Sequence, residues 1–340
     1  MSPRVFIIIL QYNHSQDTIK CLDSVRKLDY TNFQTVVVDN ASERSERYSI
    51  RSYVKSQLHY RQGSPVDTTG LPCMSLLENK KNLGYAGGNN VGIRYALEHG
   101  ADYVFILNND TTVESDLLTK LVATAEGDPK VGIVGPAIKE GDGRVAYYGK
   151  ISWLKSELSH SYQSYPQAIL VGLKHRQETS PLHARSNLAD LVLGSKEYVI
   201  GAAMLIKREV LEKIDGFDEV YFLYFEDADL CLRAQMAGYK LKITPKTTIY
   251  HQVSSTTSTL GKPLILRYHM RNALIFNSLN APWMIKLALI FWSGYILLKN
   301  FVKVFLFPAK VSAGEAIIDG VLDFYKNRYG KIENSKPQSL

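Results

Sequence analysis

Short apolar runs alternate with helical patterns along the first 135 residues of the chain. The runs are rich in β-branched residues and are bounded by polar ones, as is typical of buried strands. They predict strands at Val5–Leu10, Thr35–Val38, Ser75–Glu78 and Tyr103–Leu107. Strands that alternate with helices imply right-handed crossovers, so the pattern predicts an α/β fold with a mostly parallel central sheet flanked by helices.

Apolar residues recur at helical spacing between these strands. A first helix is predicted over Ile19–Leu28, with an N-terminal cap at Ser15 or Asp17. A second is predicted over Asn89–His99, after a glycine-rich entry at Gly84–Gly88. These helices would provide the crossovers between parallel strands.

Two irregular segments interrupt this order. Residues 59–75 contain glycines and prolines and predict a surface loop. Residues 140–197 show weak periodicity and predict a hairpin and loops, which would lie over the ligand site that is described next. Regular elements resume at Tyr198, and the last predicted helix is closed by Gly238. The predicted elements are a strand at Val199–Ile206, helices at Arg208–Ile214 and Leu230–Ala237, and a strand at Thr247–Tyr250.

Polar side chains follow three of the predicted strands at the point where each strand ends. Asn13, Asp39 and Asp110 each come just after an apolar run. Turn formation explains any one of them equally well, but the carboxyl ends of parallel strands meet at one edge of a sheet, so the three together favour a ligand site. Asp110 is preceded by two amides, Asn108 and Asn109, and not by a second acid. Such a site fits Mg²⁺ or Mn²⁺ when a diphosphate supplies further oxygen ligands.

A second acidic group precedes the last predicted helix. Glu226, Asp227 and Asp229 place three carboxylates near a helix start, where the helix dipole stabilises anions by roughly 0.3–1 kcal/mol each. Acidic first turns are common, but the aromatic run Phe222–Phe225 indicates a partly buried setting in which idle carboxylates are costly. His251 follows the last predicted strand and is either an ordinary histidine or a metal ligand.

The composition is that of an ordinary globular protein, with 340 residues of which 45% are hydrophobic and 21% charged. It excludes disordered and low-complexity classes. Cys21, Cys73 and Cys231 are too scattered for a disulfide framework or a metal cluster, and the apolar run near the N-terminus is too short for a signal peptide. We therefore expect a cytoplasmic protein. Nucleic acid is not an expected partner, because dense Arg and Lys runs are lacking.

Seven motifs, taken in order, resemble those of the family-2 inverting glycosyltransferases, and in particular the rhamnosyltransferase-like enzymes of bacterial surface-polysaccharide assembly. The resemblance covers residues 4–255. It implies a GT-A fold with a Rossmann-like nucleotide-binding half, and a nucleotide-diphosphate sugar donor such as dTDP-rhamnose, a UDP-hexose or a UDP-furanose. The motifs are Gln11–Asn13, Val38–Ser42, Asn82–Asn90, Leu107–Asp110, Gly201–Met204, Gly216–Asp218 and Phe225–Asp227.

The resemblance also implies roles for individual residues. Asp39 matches the acid that contacts the base of the donor, and Asn108 stands where the Asp-x-Asp motif has its first acid. Asp110 is then the main carboxylate ligand of a divalent cation, and His251 completes the metal site. The donor-binding positions are Tyr12, Asn13, Asp39, Asn82, Gly84, Asn89 and Asn108.

Asp227 matches the catalytic base of the family. It would take the proton of an acceptor hydroxyl as that hydroxyl attacks the anomeric carbon with inversion, and a positioned base contributes on the order of 10²–10⁴-fold. Glu226 and Asp229 flank it, and Asp229 would hydrogen-bond the acceptor. The expected acceptor is a glycan or a lipid-linked glycan.

Three other functions stay open. A nucleotidyltransferase also uses an α/β sheet, a metal and acids, but would carry a basic glycine-rich loop where this chain has Gln11–His14. A two-carboxylate glycoside hydrolase needs no nucleotide pocket and no segment such as Gly84–Gly88. A glycan-binding protein that has lost turnover is favoured only by the amide of Asn108 in place of an acid.

The net charge of +7 lies entirely in the C-terminal region. Residues 261–340 hold 11 Lys and Arg against 4 Asp and Glu, whereas residues 1–260 are balanced. We therefore predict a catalytic domain over 1–260 and a basic amphipathic helical extension over 261–340. Trp283–Phe307 has an uncharged core shorter than the ~20 apolar residues of a spanning helix. It predicts a peripheral anchor at the inner face of the membrane, a packed subdomain or a homodimer interface.

Overall fold

The structure is a computed structural model that describes residues 2–60, 74–162, 189–252, 261–307, 309 and 311–332. Its strands are β1 (Val5–Gln11), β2 (Phe33–Asp39), β3 (Met74–Glu78), β4 (Tyr103–Asn108), β5 (Thr111–Val113), β6 (Val131–Glu140), β7 (Val145–Ala146), β8 (Tyr148–Ser152), β9 (Glu157–Ser161), β10 (Leu191–Val192), β11 (Glu197–Tyr198), β12 (Ala203–Lys207) and β13 (Lys240–His251). Its helices are α1 (Ser15–Val25), α2 (Arg44–Tyr60), α3 (Gly84–Glu98), α4 (Leu117–Glu126), α5 (Arg208–Ile214), α6 (Glu226–Met236), α7 (Lys262–Asn280), α8 (Trp283–Leu306) and α9 (Val311–Tyr325).

Ten strands of the described chain form one sheet, in the order β10-β13-β6-β12-β4-β1-β2-β3, with β5 beside β13 and β7 beside β6. Strands β4, β1, β2 and β3 are parallel, as predicted. In the other half, β12 runs antiparallel to both β4 and β6. Strands β6 and β13 are parallel to each other, and because β12 is antiparallel to both β4 and β6, they run in the same direction as the N-terminal strands. The sheet is therefore mixed because of β12 and the short strands β5, β7 and β10, and its other strands are parallel, as predicted.

Helices cover both faces of this sheet, which explains why its central strands are continuous apolar runs. Ile8 of β1 packs in one core with Ile93 of α3, whereas its neighbour Ile7 packs in another with Leu22 of α1. Successive side chains of a strand point to opposite faces, so a strand covered on both sides needs no polar positions.

Several local boundaries differ from the sequence predictions. Helix α1 begins at Ser15 without a side-chain cap, and the Ser15 N–H instead donates to Glu46 of α2 at 2.7 Å. The sequence predicts no helix where α2 lies, because that segment is largely polar. Helix α3 begins at Gly84 rather than Asn89, so the glycine-rich entry is the first turn of the helix. Residues 61–73 of the predicted loop lie outside the described residues.

The predicted hairpin is confirmed between 140 and 197. Strands β8 and β9 pair antiparallel, and β11 joins them in a separate three-stranded sheet. Residues 163–188 of this predicted irregular region lie outside the described part of the chain.

Helix α7 packs into the main core. Its residues Ala273, Ile275 and Phe276 are buried in the same cluster as Phe6 of β1 and Ile106 of β4. The predicted boundary after residue 260 therefore does not separate α7 from the sheet. Helix α9 packs along both α7 and α8. Helix α8 is the described helix that is long and apolar enough, by length and composition, to cross a membrane.

Candidate active site

A cavity of 380 Å³ opens beyond the carboxyl ends of the parallel strands. The strand ends coincide, because Gln11 of β1 lies opposite Asp39 of β2, and Leu10 lies opposite Asn108 of β4. This confirms the predicted meeting of polar strand ends, and the volume is within the range of small-molecule sites. The cavity is lined by Leu10, Tyr12, Asn40, Asn82, Gly84, Tyr85, Asn108, Asn109, Asp110, His160, Ile200, Gly201, Ala202, Phe222, Leu223, Tyr224, Glu226, Asp227 and His251.

Asn40 organises the backbone at one end of the cavity, although sequence reasoning gave it no role. Its Nδ2 donates to Asn82 Oδ1 and to the Gly84 carbonyl at 3.0 Å each, and its Oδ1 accepts from the Leu83 N–H. Gly84 has a φ of 76°, and a Cβ there would lie 2.3 Å from the carbonyl oxygen of Phe222. Glycine is therefore required at this turn. The predicted residues Asn82 and Gly84 form the entry of α3 and line the cavity.

Three of the predicted donor-binding residues do not line the cavity. Asn13 hydrogen-bonds the segment that follows β2, and Asn89 donates to a backbone carbonyl within α3. Asp39 is fully buried, and one of its oxygens accepts from Arg47 Nε at 3.2 Å. Its Oδ1 has no hydrogen-bond partner in the described chain. Asp39 thus retains one free acceptor atom, whereas Asn13 and Asn89 shape the backbone around the cavity.

Asp110 and His251 meet at the cavity wall because β13 pairs with β5, which places His251 opposite Thr111. Asp110 Oδ1 and His251 Nε2 are 3.2 Å apart, at ion-pair distance, yet neither atom makes a well-oriented hydrogen bond to any described residue. Burial alone would lower the pKa of His251, but the adjacent carboxylate outweighs burial, so that this pKa is raised.

The Asp110 and His251 pair fits two ligands of one divalent cation. The two atoms lie 3.2 Å apart without a well-oriented hydrogen bond between them, and a buried carboxylate is costly unless a cation neutralises it. Among the described residues, no group of three or more His, Cys, Asp or Glu could hold a metal by itself. Mg²⁺ and Mn²⁺ need only one or two protein carboxylates when substrate phosphates complete the shell. A cation shared with a bound diphosphate is the arrangement that suits this pair.

Glu226 and Asp227 open α6 and line the same cavity. Asp227 Oδ2 accepts from the Gly201 N–H at 3.0 Å, and its Oδ1 accepts from the Ala228 N–H at 2.8 Å. A Cβ at Gly201 would lie 3.1 Å from the Asp227 Cβ, so the close approach depends on that glycine. Burial raises the pKa of Asp227, and the two amide bonds reduce this shift without cancelling it. A carboxylate of raised pKa is a stronger base near neutral pH.

Glu226 is the more deeply buried of the two acids. Its Oε2 has no hydrogen-bond partner in the part of the chain that the structure describes. Burial, and then the charge of Asp227, raise the pKa of Glu226 well above its ordinary value. Its charged form is therefore disfavoured in the folded protein, and the protonated form can donate a hydrogen bond into the cavity.

We expect Glu226→Gln to stabilise the protein increasingly as pH rises. A carboxyl whose pKa is raised by folding contributes stability below its unfolded pKa, and this contribution is lost as pH rises through the folded pKa. Thermal unfolding from pH 4.5 to pH 8 should show a variant–wild-type difference that grows with pH. Glu209→Gln is the control for the loss of a carboxylate outside the cavity, because the Glu209 side chain is exposed. A constant difference would contradict the raised pKa.

Asp229 does not reach the cavity, and its predicted contact with an acceptor is not supported. Its side chain is 2% exposed and accepts from Arg233 Nε at 2.6 Å, from Asn280 Nδ2 at 2.9 Å and from the Tyr221 hydroxyl at 3.2 Å. The spacing of the two acids explains why Asp227 lines the cavity and Asp229 does not. They are two positions apart in α6 and so point to different sides of the helix. Asp229 ties α6 to the end of α7.

The aromatic loop, Tyr221–Phe225, leads into α6 in a strained backbone conformation. Phe222, Tyr224 and Phe225 have φ between 65° and 77°. Such a conformation costs about 1–3 kcal/mol per residue, and it persists only where the surrounding contacts compensate for that cost. Asn272 of α7 holds the loop. Its Nδ2 lies 2.8–3.0 Å from three carbonyl oxygens, those of Tyr221, Leu223 and Tyr224. Sequence reasoning missed this residue, because no motif marks it and the contact spans about fifty positions.

Comparison with known proteins gives one family and several distant relatives. The model of the family described as glycosyl transferase family 2 matches residues 6–215. An uncharacterized protein of Sinorhizobium fredii is 27% identical over 258 residues, 75% of this chain and 25% of its own length. The dTDP-rhamnosyl transferase RfbF of Shigella flexneri is 21% identical over 282 residues, 81% of this chain and 80% of its own.

A third relative and a solved structure extend the comparison. The N-acetylglucosaminyl-diphospho-decaprenol L-rhamnosyltransferase of Mycobacterium tuberculosis is 24% identical over 222 residues, 62% of this chain and 69% of its own. The mannosyltransferase PcManGT from Pyrobaculum calidifontis, in complex with GDP-Man and Mn²⁺, superposes with a TM-score of 0.53 at 18% identity. The match covers 96% of this chain and 88% of that one. The fold is accordingly that of GT-A proteins, as predicted.

Proposed function

The chain belongs to glycosyl transferase family 2, and from this membership we propose that it transfers a sugar from a nucleotide diphosphate to the hydroxyl of a glycan or lipid-linked glycan. The observation that carries the proposal is the cavity itself. It brings the glycine-rich turn at Gly84, the Asp110–His251 pair and the base candidate Asp227 into one volume of 380 Å³. The nucleotide would bind at the Gly84 turn, the cation at the Asp110–His251 pair and the acceptor hydroxyl at Asp227.

The nucleotide side of the site would involve Tyr12, Asn82, Gly84 and Asn108, which line the cavity. The role of Asp39 as the acid that contacts the base stays a prediction from the resemblance, because Asp39 is fully buried and does not line the cavity. Asn13 and Asn89 would act indirectly, by fixing the backbone on which these residues sit. A dTDP-rhamnose donor is supported by the name of the Shigella relative, which is 21% identical.

Asp110 and His251 would hold a Mg²⁺ or Mn²⁺ ion. When bound, such a cation neutralises the charge that develops on the departing nucleoside diphosphate. The support from this chain is the pair of converging atoms without well-oriented hydrogen bonds, and the mannosyltransferase of similar fold is described with Mn²⁺. Asn108 cannot supply a second carboxylate, so the site would depend on the phosphates for tight binding.

Asp227 would accept the proton of the acceptor hydroxyl as that hydroxyl attacks the anomeric carbon. A hydroxyl is a poor nucleophile at neutral pH, and a single base opposite the leaving group means direct displacement with inversion. Glu226 would donate a hydrogen bond to a sugar hydroxyl from its protonated form. Asp229 has no part in this step, because Arg233 and α7 already engage it.

The acceptor and the location are further parts of the proposal. The Mycobacterium relative is named for a decaprenol-linked acceptor, and a lipid-linked glycan must be met at a membrane surface. The protein would then work in the cytoplasm, at the inner face of the cell membrane. A homodimer stays a prediction from the sequence.

A screen of sugar nucleotides tests the proposal. Thermal unfolding is measured with dTDP-rhamnose, UDP-hexoses, a UDP-furanose and their nucleoside diphosphates, each with and without Mn²⁺. A ligand at 100 times its Kd stabilises by about 2.7 kcal/mol, so a true donor should raise Tm clearly and release its nucleoside diphosphate slowly in water. Pyrophosphate release from a nucleoside triphosphate and a sugar phosphate would indicate a nucleotidyltransferase. No response to any nucleotide would favour a glycan-binding protein.

The aromatic loop offers a test of positioning. We expect Asn272→Ala to lower the transfer rate by about 10²-fold at saturating donor, since misplacement of a catalytic group by ~1 Å costs that much. Asn277→Ala is the matched control, because Asn277 is also buried on α7 but donates to Trp153 and Ser156 instead. Both variants should lose stability, and only the first should lose turnover while folded. Equal rates in the two variants would remove the positioning role.

A further inference from the structure

The outward face of α8 is apolar along its whole length. This α8 apolar face includes Trp283, Leu287, Phe291, Leu298, Phe301 and Phe305, whose side chains are between 57% and 87% exposed. Soluble monomers rarely leave so continuous an apolar surface in water, and such a surface marks a partner or a membrane.

The polar residues of α8, apart from its lysines, point inward. Ser293 and Asn300 are 1% and 3% exposed, and the Ser293 hydroxyl lies 2.6 Å from the Tyr325 hydroxyl of α9. Asn300 Nδ2 donates to the Ile296 carbonyl of its own helix. A surface helix in water has the opposite arrangement, with its apolar stripe inward and its polar residues outward. The surroundings of α8 must therefore be apolar on the outer side.

Two of the three lysines of α8 sit at the borders of this face. At 3.6 residues per turn, Lys286 falls on one border and Lys299 on the other, whereas Lys303 lies further round towards the inner side, and the helix contains no acid. Lysines so placed keep their stems against apolar surroundings while their ammonium groups reach water or phosphate. The basic excess of residues 261–340 has the same sign, so the complementary surface is anionic as well as apolar.

The contacts of α8 favour an orientation along such a surface over one that crosses it. Its inner face packs against α9, which carries Glu315, Asp319 and Asp323, and Asp323 accepts from Arg267 Nε at 2.6 Å. Crossing would carry these charged groups into hydrocarbon together with α8, at a cost of several kcal/mol. An orientation in the membrane plane buries the apolar face and leaves α9 in water.

We infer that the α8 apolar face docks on an anionic lipid bilayer, at the boundary between headgroups and acyl chains. A second copy of this chain is a poorer occupant, since an isologous dimer would bring two sets of lysines together without acids on either helix. The inference rests on α8, on its packing against α9 and on the charge of residues 261–340, and it does not depend on the donor, the acceptor or sugar transfer.

Vesicle sedimentation with the full chain tests the inference. We expect wild-type protein to sediment with phosphatidylglycerol–phosphatidylcholine vesicles at low salt and to be partly released by high salt. Phe291→Asp with Phe305→Asp should lower the vesicle partition coefficient at least about ten-fold, because each phenylalanine contributes substantially to apolar burial. Leu154→Asp is the matched control, as Leu154 is 78% exposed on the turn between β8 and β9 and should sediment like wild type.

The results of this experiment distinguish a lipid bilayer from a second copy of the chain as the partner of the α8 apolar face. Unchanged melting temperatures of the variants in solution show that the substitutions act on the surface and not on folding. A wild-type chain that stays in the supernatant as a stable dimer by light scattering would overturn the inference in favour of a second copy. Equal sedimentation of the double variant and wild type would also overturn it. Because the readout is sedimentation, it is independent of the nucleotide screen.

Discussion

Asp227→Asn is expected to lower the rate of sugar transfer by about 10²–10⁴-fold while the donor still binds. The amide is nearly the same size as the carboxylate and can still accept one of the two backbone hydrogen bonds, from Gly201 or from Ala228. It cannot accept the proton of the acceptor. Initial rates of nucleoside diphosphate release at saturating acceptor, together with the donor Kd, measure the two effects separately.

The pH dependence of the wild-type rate gives a second readout for Asp227. Burial raises its pKa above the ordinary aspartate value of 3.8, so activity should fall, as pH drops, at a higher pH than for an exposed aspartate. Glu226→Gln is the matched variant in the same cavity and should retain much more activity. If Glu226→Gln instead loses the larger share of the rate, Glu226 is the base and Asp227 is not.

The sequence pattern predicts the half of the fold that consists of parallel strands. Each buried strand is a continuous apolar run that ends in a polar residue at the same sheet edge, so the pattern alone predicts Asn13, Asp39 and Asp110 at that edge. The reversal at β12 could not be predicted in this way. A buried strand has the same apolar sequence in either direction, and only its connections in space decide its orientation.

Prediction of the site residues from the sequence is limited in the same way, because contacts in space do not show in the sequence pattern. Asp227 and Gly201 could be found because they lie within recognisable motifs. Asn40 acts through four hydrogen bonds to the turn before α3, and Asn272 acts through the aromatic loop, from a helix that the sequence assigns to a separate extension. Such long-range side-chain contacts leave no periodicity to detect. Asp229 shows the opposite error, in which the sequence predicts a role that the structure does not support. Its position next to the motif does not tell whether the acid faces the cavity or an arginine.

Asp110→Ala is expected to abolish transfer and to weaken Mn²⁺ binding strongly. Loss of a residue that only supports a metal ligand lowers metal affinity by about 10–100-fold, and loss of the main carboxylate ligand should lower it by more. The substitution removes the main carboxylate of the candidate site, while the Asp110 carbonyl still accepts from the Gln252 N–H at 3.0 Å. Local backbone structure should therefore survive. The fraction of free Mn²⁺, measured by electron paramagnetic resonance with a nucleoside diphosphate present, reports binding independently of activity. His251→Ala should weaken binding less, because it leaves the charge in place.

Asn108→Asp makes the same test in the opposite direction. Asn108 ends β4 and lines the cavity with Asp110, so an aspartate there would supply a second carboxylate to the same volume. A divalent cation gains affinity with each added negative ligand, and Mn²⁺ binding should therefore tighten. A general loss of stability would not explain weaker Mn²⁺ binding in Asp110→Ala together with tighter Mn²⁺ binding in Asn108→Asp. Full transfer in excess chelator, or unchanged Mn²⁺ binding in both variants, would remove the metal role of Asp110 and leave its contact with His251 as an ion pair of the fold.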